Sequence, residues 1–389
     1  MALSGIIANP LRLGGLGLPP QVVMMCRLLA LALLLTNHQA QIQTVFLPFV
    51  DLFDALPPVL FQRVLQATLV LAALAVLFTR HTRAAAAAAG MALLLAVLSS
   101  RAYYGNNKTF VGLLLVLAAL SNATGPARLL QWQVALVYFG AGLNKAIDPD
   151  WQSGQFFEHW ATDRLQNPAY MWLSAQLPPL AAGKIFCWYT IVAELVLAAL
   201  LLVPRFHAAG IWGSGLFQSG LLLFTGDPFN LFFYGMQSSL FAFARWPEPQ
   251  ITVIWDGSCG FCRRTKELMQ RFDFDPVLDW RALQTGVGER YGLTKEQLQL
   301  ALHAAGPGWV LGGYAAFRRI LLHLPVFGMT LLTALAFAPG PQTRRAIVTG
   351  ALLFLLPLSN PAGNAIYGWI ARHRHELLAG ETCELPEQS

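Results

Sequence analysis

Long apolar runs, separated by short polar stretches, occupy most of the first 245 residues. A helix that crosses a bilayer needs about 20 mostly apolar residues, because each residue adds about 1.5 Å along the axis. By that measure the pattern predicts eight spans, near residues 21–37, 59–79, 84–100, 109–122, 129–147, 183–204, 207–226 and 229–244. We therefore expect this part of the chain to be a polytopic α-helical membrane domain.

Two segments between these runs have a different pattern. Residues 44–57 carry Pro48, Asp51 and Asp54 among apolar side chains, which favours a re-entrant or interfacial segment over a span. Residues 150–180 are rich in Trp, Gln, Asp and Pro, and they predict a structured loop with a short helix.

The basic residues of the loops predict an orientation. Alternate loops contain Arg80 and Arg83, Arg128, Arg205, and Arg245. Loops that stay in the cytoplasm carry an excess of Lys and Arg. With eight spans, both termini and everything after residue 245 are then expected on the cytoplasmic side.

The pattern becomes that of a water-soluble domain after Arg245-Trp-Pro-Glu-Pro, so we place a boundary between domains at 1–245 and 246–389. Residues 251–255 (ITVIW) predict a buried parallel strand, followed by a turn at Asp256-Gly257. Ser258 is the candidate N-cap of a helix over about 260–272. A strand around 277–281 follows, then a hairpin of 299–304 with 309–312 and a helix from about residue 314. This order predicts an α/β thioredoxin-like fold.

Two apolar stretches near residues 324–338 and 343–357 follow this domain. Both are short for a span, so they predict either a helical pair resting on the membrane, which we favour, or two short additional spans.

Composition supports a membrane protein and excludes several classes. Of the 389 residues, 56% are hydrophobic and 12% are charged, where a soluble protein averages about 25% charged residues. The net charge of +6 fits loops that face anionic lipid, and no basic run is interleaved with aromatic residues as nucleic-acid binding would require. Five scattered cysteines are too few for a disulfide framework.

Cys259 and Cys262 are the one cysteine pair whose spacing indicates chemistry. Their strand-turn-helix context places Cys259 near a helix N-terminus, where partial positive charge favours a thiolate. Cys259 is then the nucleophile and Cys262 the resolving thiol. Asp256 either accepts the proton of the resolving thiol or only shapes the turn. A zinc site completed by Cys383 and the pair His373/His375, and a pair without a role, are the alternatives. We expect no metal.

The string Asp256-x-x-Cys259-x-x-Cys262 after an apolar strand resembles the DCC thiol-disulfide oxidoreductase family. The similarity includes Gly312-Gly-Tyr-Ala-Ala316 and Tyr367-Gly-Trp-Ile-Ala-Arg-His-Arg374, and it covers about residues 251–383. Trp255 departs from the commoner Tyr or Phe. The resemblance implies a thioredoxin-like enzyme of thiol–disulfide exchange, whose partner is a protein or a small thiol.

A second string begins at Tyr138 and runs Tyr-Phe-Gly-Ala-Gly-Leu-Asn-Lys145-Ala-Ile-Asp-Pro-Asp150-Trp151-Gln-Ser-Gly154. A lysine at a helix end can simply extend to the membrane surface. The string also resembles a signature of the vitamin K-dependent gamma-carboxylase membrane domain, shared with bacterial HTTM proteins. The resemblance implies that Lys145 is a base toward a quinone-type cofactor held with Tyr138, Gly142, Asp150 and Trp151.

The resulting hypothesis is a multi-pass membrane thiol-disulfide oxidoreductase of a bacterial inner membrane, with the dithiol on the cytoplasmic side and a reductive role. A quinone or lipid-like ligand near Lys145 is an optional coupling partner, and membrane lipid is the other expected contact. The alternatives are a carboxylase-like quinone-dependent enzyme and a non-catalytic lipid-binding scaffold. The sequence does not define the oligomeric state.

Overall fold

The structure is a computed structural model that describes residues 8–43, 48–122, 124–248 and 250–373. The chain divides into two compact units. The membrane unit consists mainly of Gly15–Ala244 and Leu332–Val348. The thioredoxin-like unit consists mainly of Asn9–Gly14, Arg245–Leu331 and the residues from Thr349.

The long helices of the membrane unit begin and end within a few residues of the predicted spans. They are α1 (Pro20–Leu35), α2 (Pro58–Phe78), α3 (Thr82–Ser99), α4 (Asn106–Ala119), α5 (Arg128–Ile147), α9 (Ala181–Leu202) and α10 (His207–Thr225). Prolines at the first positions of α1 and α2 fix helical φ where no backbone donor is needed. The helices α3 and α4 approach closely, since a Cβ on Gly90 would lie 2.7 Å from the carbonyl oxygen of Gly112.

The span predicted at residues 229–244 is not a long helix. Residues 229–244 form only the eight-residue helix α11 (Phe232–Ser239) and a 3₁₀ turn, Leu240–Ala242. At about 1.5 Å per residue this is about half of a bilayer core of about 30 Å. The orientation was inferred from a count of eight spans, which the structure does not reproduce. The cytoplasmic placement of the termini therefore stays a prediction.

By length and composition, three helices of the described ranges can cross a membrane: α2, α3 and α9. The number is five if each of two bent pairs is one span. These pairs are α14 (Gly313–His323) with α15 (Pro325–Ala336), bent by 79°, and α16 (Pro341–Leu355) with α17 (Asn360–His373), bent by 77°. Both readings of the stretches 324–338 and 343–357 thus stay open.

The loop predicted over 150–180 contains more helix than expected. It holds α6 (Pro149–Ser153), α7 (Gln155–His159), a π-helical turn (Trp160–Arg164) and α8 (Pro168–Ser174). The side chains of Asp148 and Asn167 cap α6 and α8. In the other segment, residues 44–47 lie outside the described residues, and Asp51–Ala55 form a 3₁₀ helix.

The thioredoxin-like unit is a mixed four-stranded sheet of order β2-β1-β3-β4. The strands are β1 (Ile251–Trp255), β2 (Leu278–Ala282), β3 (His303–Gly306) and β4 (Trp309–Gly312). β2 pairs parallel to β1, β3 pairs antiparallel to β1, and β3 forms the predicted hairpin with β4. The helix α12 (Gly260–Gln270) connects β1 to β2. The predicted fold class, a helical membrane domain followed by a thioredoxin-like α/β domain, is confirmed.

The start of the hairpin differs from the prediction. Residues 299–300 belong to helix α13 (Lys295–Leu300), because Thr294 and Gln297 form a reciprocal capping box at its N-terminus. The strand therefore begins only at His303. The core of this unit includes Ile251 and Val253 of β1, Ala304 of β3, and Ala316 and Ile320 of α14.

Candidate functional site

Cys259 is the N-cap residue of α12, and its Sγ accepts a hydrogen bond of 3.3 Å from the backbone N–H of Cys262. We predicted Ser258 as the N-cap. Its hydroxyl instead donates to the Asp256 carboxylate at 2.6 Å, which leaves the capping position to the cysteine. The sulfur therefore lies at the end of the helix where backbone N–H groups and partial positive charge favour an anion.

The two sulfurs differ in exposure. Cys259 is 1% exposed, whereas Cys262, one turn later, is partly exposed. Burial of a thiolate is costly without compensation, and the N–H donor at the helix terminus supplies that compensation locally. Arg263 and Arg264 follow on the exposed surface of α12 and add positive charge.

Asp256 is buried at the end of β1, and its Oδ1 accepts three hydrogen bonds. The donors are the backbone N–H of Ser258 at 3.0 Å, the Ser258 hydroxyl, and Nε2 of Gln284 at 3.1 Å. The first of these bonds is the Asx-turn predicted as one of its two roles. Gln284, which the sequence reasoning missed, fixes the carboxylate from across the sheet edge, and no local pattern marks it.

Lys266 and Trp255 form a cation–π contact beside this turn. The lysine Nζ lies 4.7 Å from the centre of the Trp255 ring. The departure from the DCC pattern at residue 255 thus gives α12 a larger aromatic surface against which to pack.

No metal site supports the zinc alternative within the described ranges, where no cluster of three or more His, Cys, Asp or Glu side chains is found. Of the additional ligands considered, His375 and Cys383 lie outside the described residues. The Nδ1–H of His373 donates to the Trp369 carbonyl, one turn earlier in the same helix.

Lys145 lies in the last turn of α5 and bonds to a carboxylate of α9. Its Nζ is 2.9 Å from Oε1 and 2.7 Å from Oε2 of Glu194, and 5.1 Å from the centre of the Trp151 ring. The Lys145 side chain is 21% exposed and that of Glu194 is 9% exposed. The two groups form a partly buried ion pair between helices that are adjacent in the membrane unit.

Glu194 is the functional candidate that the sequence reasoning missed in this unit. It is the single charged residue in the apolar stretch 185–203. Ionisable residues inside a span are energetically costly and usually mark a functional site or an ion-pair partner. The sequence therefore already indicated Glu194 as a candidate. Its pairing with a residue 49 positions earlier is a property of the tertiary structure.

Lys145 and Glu194 line a cavity of about 920 Å³ in the membrane unit. Ten of its 22 lining residues are aromatic, and most of these come from the loop helices and from α9 and α10. The rings that line it include Trp151, Phe156, Phe157, Trp160, Phe186 and Phe224. Trp151 and Phe156 stack with their ring centres 4.3 Å apart. A volume and lining of this kind suit a small organic ligand.

The other predicted residues near Lys145 lie outside this lining. The Tyr138 hydroxyl bonds to Ser214 at 2.5 Å and accepts from Gln218 at 3.1 Å. Gly142 allows α5 to approach α9, since a Cβ there would lie 3.0 Å from Leu195. Asp150 is exposed in the first turn of α6. The structure thus brings Lys145 and Trp151 to the cavity and gives Tyr138 and Gly142 positions in helix packing.

Two family models match the chain. Residues 126–246 match the HTTM domain, and residues 253–349 match the DCC1-like thiol-disulfide oxidoreductase. The chain joins an HTTM domain to a DCC1-like domain. The recognised order of the two domains is confirmed, and the chain is a membrane protein with a domain of the thiol-disulfide oxidoreductase type. Neither curated proteins nor solved structures gave a match.

The matched ranges divide the site residues between the two domains. Tyr138, Gly142, Lys145, Asp150 and Trp151 lie in the HTTM range, as does Glu194. Asp256, Cys259 and Cys262 lie at the start of the DCC1-like range.

Proposed function

We propose that this protein is a membrane-bound thiol-disulfide oxidoreductase that uses Cys259 and Cys262. The observation that supports it most is the position of Cys259 Sγ at the N-terminus of α12, as acceptor of the Cys262 N–H. A helix N-terminus stabilises a thiolate through its backbone N–H groups and its partial positive charge.

In the proposed reaction the Cys259 thiolate attacks one sulfur of a partner disulfide. The Cys259–partner S–S bond forms, and the other partner sulfur leaves as a thiolate. Cys262 then attacks Cys259 Sγ, which releases the second partner thiol and leaves a Cys259–Cys262 disulfide. Two electrons pass from the dithiol to the partner, and exchange with a reducing cellular dithiol restores the starting state. Asp256, in the adjoining turn, accepts the proton of Cys262.

Thiol trapping of the full-length protein at graded redox potential tests this proposal. We expect Cys259 and Cys262 to be alkylated or protected together, with one two-electron midpoint. Cys259→Ser and Cys262→Ser are each expected to abolish that transition, whereas Cys26→Ser, in buried α1, preserves it. Absence of a two-electron midpoint in the unmodified protein would overturn the proposal.

The placement of the dithiol on the cytoplasmic side is part of the proposal and has its own test. A membrane-impermeant thiol reagent is expected to label Cys262 in inside-out vesicles but not in intact cells. The opposite labelling would place the dithiol outside and favour an oxidative role.

The second candidate function is binding of a quinone or other lipid-like ligand in the HTTM domain. The aromatic cavity with Lys145 and Glu194 in its wall supports it. Purified protein is expected to release a bound quinone or lipid on solvent extraction, and Lys145→Ala is expected to lose it. Equal amounts of extracted quinone or lipid from both proteins would show that Lys145 does not contribute to binding.

A further inference from the structure

The helix α12, which begins at the dithiol, carries an excess of basic side chains. Over residues 260–271, four basic residues accompany a single acidic residue, Glu267, so this stretch has a net charge of +3. The basic residues are Arg263, Arg264, Lys266 and Arg271. A partner that approaches the dithiol along this helix therefore meets a positive surface.

Two of these basic residues lie beside the reactive turn. Arg263 and Arg264 are exposed, and they directly follow Cys262, the more exposed of the two cysteines. The backbone N–H of Arg263 donates to the Cys259 carbonyl at 3.1 Å, so this arginine lies one helical turn from the proposed nucleophile. Both guanidinium groups are therefore in the region where a partner disulfide has to bind.

The carboxylates that follow α12 are engaged within their own unit. Asp273 accepts hydrogen bonds from the backbone N–H groups of Val277 and Leu278, at 3.0 and 2.9 Å. Asp275 accepts from the backbone N–H of Gly14 at 2.8 Å. Both aspartates are partly buried, whereas the two arginines beside the dithiol are exposed. The surface at this end of the helix is therefore predominantly positive.

A positive surface beside the dithiol favours a negatively charged partner in two ways. Opposite charge raises the rate of encounter, by about 10-fold to 1,000-fold in favourable cases. The attack also converts one partner sulfur into a leaving thiolate, which a nearby guanidinium group stabilises. Carboxylates on the partner would repel the attacking Cys259 thiolate, and the positive charges of Arg263 and Arg264 offset that repulsion.

We propose that the partner of the dithiol is a protein disulfide flanked by acidic side chains, whose carboxylates bind Arg263 and Arg264 during the exchange. A guanidinium group pairs with a carboxylate through two parallel N–H···O bonds, which suits recognition of such side chains. The inference rests on the proposed thiol–disulfide exchange and names the class of its substrate. The bonds that form and break, and the two electrons transferred, are those of that exchange.

The test uses the reduced full-length protein in detergent and three synthetic peptides of equal length. Each peptide has one cysteine linked to a 2-pyridylthio group, flanked on both sides by glutamate, by glutamine or by lysine. Attack on the peptide sulfur releases 2-thiopyridone, whose absorbance gives the rate constant. At low ionic strength the acidic peptide is expected to react about tenfold or more faster than the basic peptide, and added salt is expected to reduce this preference. Equal rate constants for the three peptides would overturn the inference.

The double variant Arg263→Gln with Arg264→Gln assigns the preference to these two residues. It is expected to lower the ratio of the acidic to the basic rate constant to about twofold, because the local opposite charge is lost. Arg290→Gln, at an exposed arginine of the 3₁₀ turn Val287–Tyr291 in the same unit, is the matched control and is expected to keep the full ratio. An equal loss of rate with all three peptides in the double variant would show that the arginines act only on the thiolate, which would overturn the inference.

Anionic lipid is the other negatively charged surface that a membrane protein meets. The three rate constants are therefore also measured in nanodiscs of neutral lipid and in nanodiscs that contain phosphatidylserine. The preference for the acidic peptide is expected in both. Its loss in the anionic nanodiscs would assign the arginines to lipid headgroups and overturn the inference, while the dithiol would keep its two-electron midpoint. Absence of reaction with every peptide, together with absence of that midpoint, would overturn the proposed exchange as well.

Discussion

Cys259 and Lys145 each lie at the end of a helix, and the two helix ends have opposite polarity. Cys259 is at the N-terminus of α12, where the backbone favours a negative sulfur, and Lys145 is in the last turn of α5, where it favours a positive amine. The thiol accepts a hydrogen bond from the backbone of a residue three positions away. The ammonium obtains its counter-charge from Glu194 on another helix.

The difference concerns how the charge of each candidate reactive group is stabilised. At Cys259 a stabilising group is the backbone N–H of Cys262 in the same helical turn. Both the sulfur and this donor therefore lie within one short segment of sequence. At Lys145 it is a side chain that only tertiary packing delivers. We therefore expect substitutions near Cys259 to change reactivity more than stability, and substitutions at the ion pair to change both.

The largest effect is expected for the resolving thiol. Cys262→Ser retains the backbone N–H that bonds to Cys259 Sγ, so Cys259 can still attack a partner disulfide. The mixed disulfide is then not resolved, because the second thiol is missing. Turnover with a protein disulfide is expected to stop, and a covalent adduct with Cys259 is expected to accumulate. Non-reducing electrophoresis detects it, and Cys259→Ser is the control that forms no adduct. An adduct in that control would assign the attack to another cysteine.

The second largest effect is expected for the ion pair. Lys145→Met leaves the Glu194 carboxylate, 9% exposed, without its cation, and the expected loss of stability is about 3 kcal/mol. Replacing Glu194 by Gln in the same protein is expected to recover most of that loss. Urea unfolding in detergent measures both, with Lys184→Met as the matched control. Equal stability of Lys145→Met and the unmodified protein would mean that the pair contributes little.

A smaller effect is expected for Asp256→Asn. Asparagine preserves an oxygen that accepts from Ser258 and Gln284, so the turn is expected to persist, while the proton acceptor is lost. Resolution of the mixed disulfide is expected to slow by about tenfold to a hundredfold. Stopped-flow exchange measures the rate, and hydrogen exchange over 256–262 checks the turn. An unchanged rate would show that Asp256 shapes the turn and does not accept the proton.

The smallest effect is expected for His303, on β3 of the thioredoxin-like unit. Burial lowers its pKa from the ordinary value, and the hydrogen bond to the Ala301 carbonyl offsets part of that shift. The unfolded chain therefore binds the proton more readily than the folded chain. Stability is expected to be constant above about pH 6.5 and to fall as the pH drops below it.

Hydrogen exchange of β3, corrected for its intrinsic pH dependence, measures this effect in the full-length protein. His303→Gln is the control and is expected to remove the added pH dependence. Faster exchange of β3 at higher pH in the unmodified protein would contradict the assigned direction.

Local patterns predicted much of the fold. Apolar runs located α1 to α5, α9 and α10, and the β-branched segment before Asp256 located β1. The prediction was wrong at 229–244, because hydropathy alone does not reveal where a helix ends. It was also wrong at 299–300, because the capping box of Thr294 and Gln297 begins a helix whose last residues occupy the start of the expected strand.

Of the candidate sites, the sequence by itself predicted the dithiol, because it places two cysteines one helical turn apart directly after a strand. It also marked Lys145. Only the tertiary structure identified Glu194 as the partner of Lys145, Gln284 as a donor to Asp256, and Cys259 rather than Ser258 as the N-cap. The physical reason is range: helix dipoles and capping bonds act within a turn of the chain, whereas ion pairs and cavity walls join residues that only packing brings together.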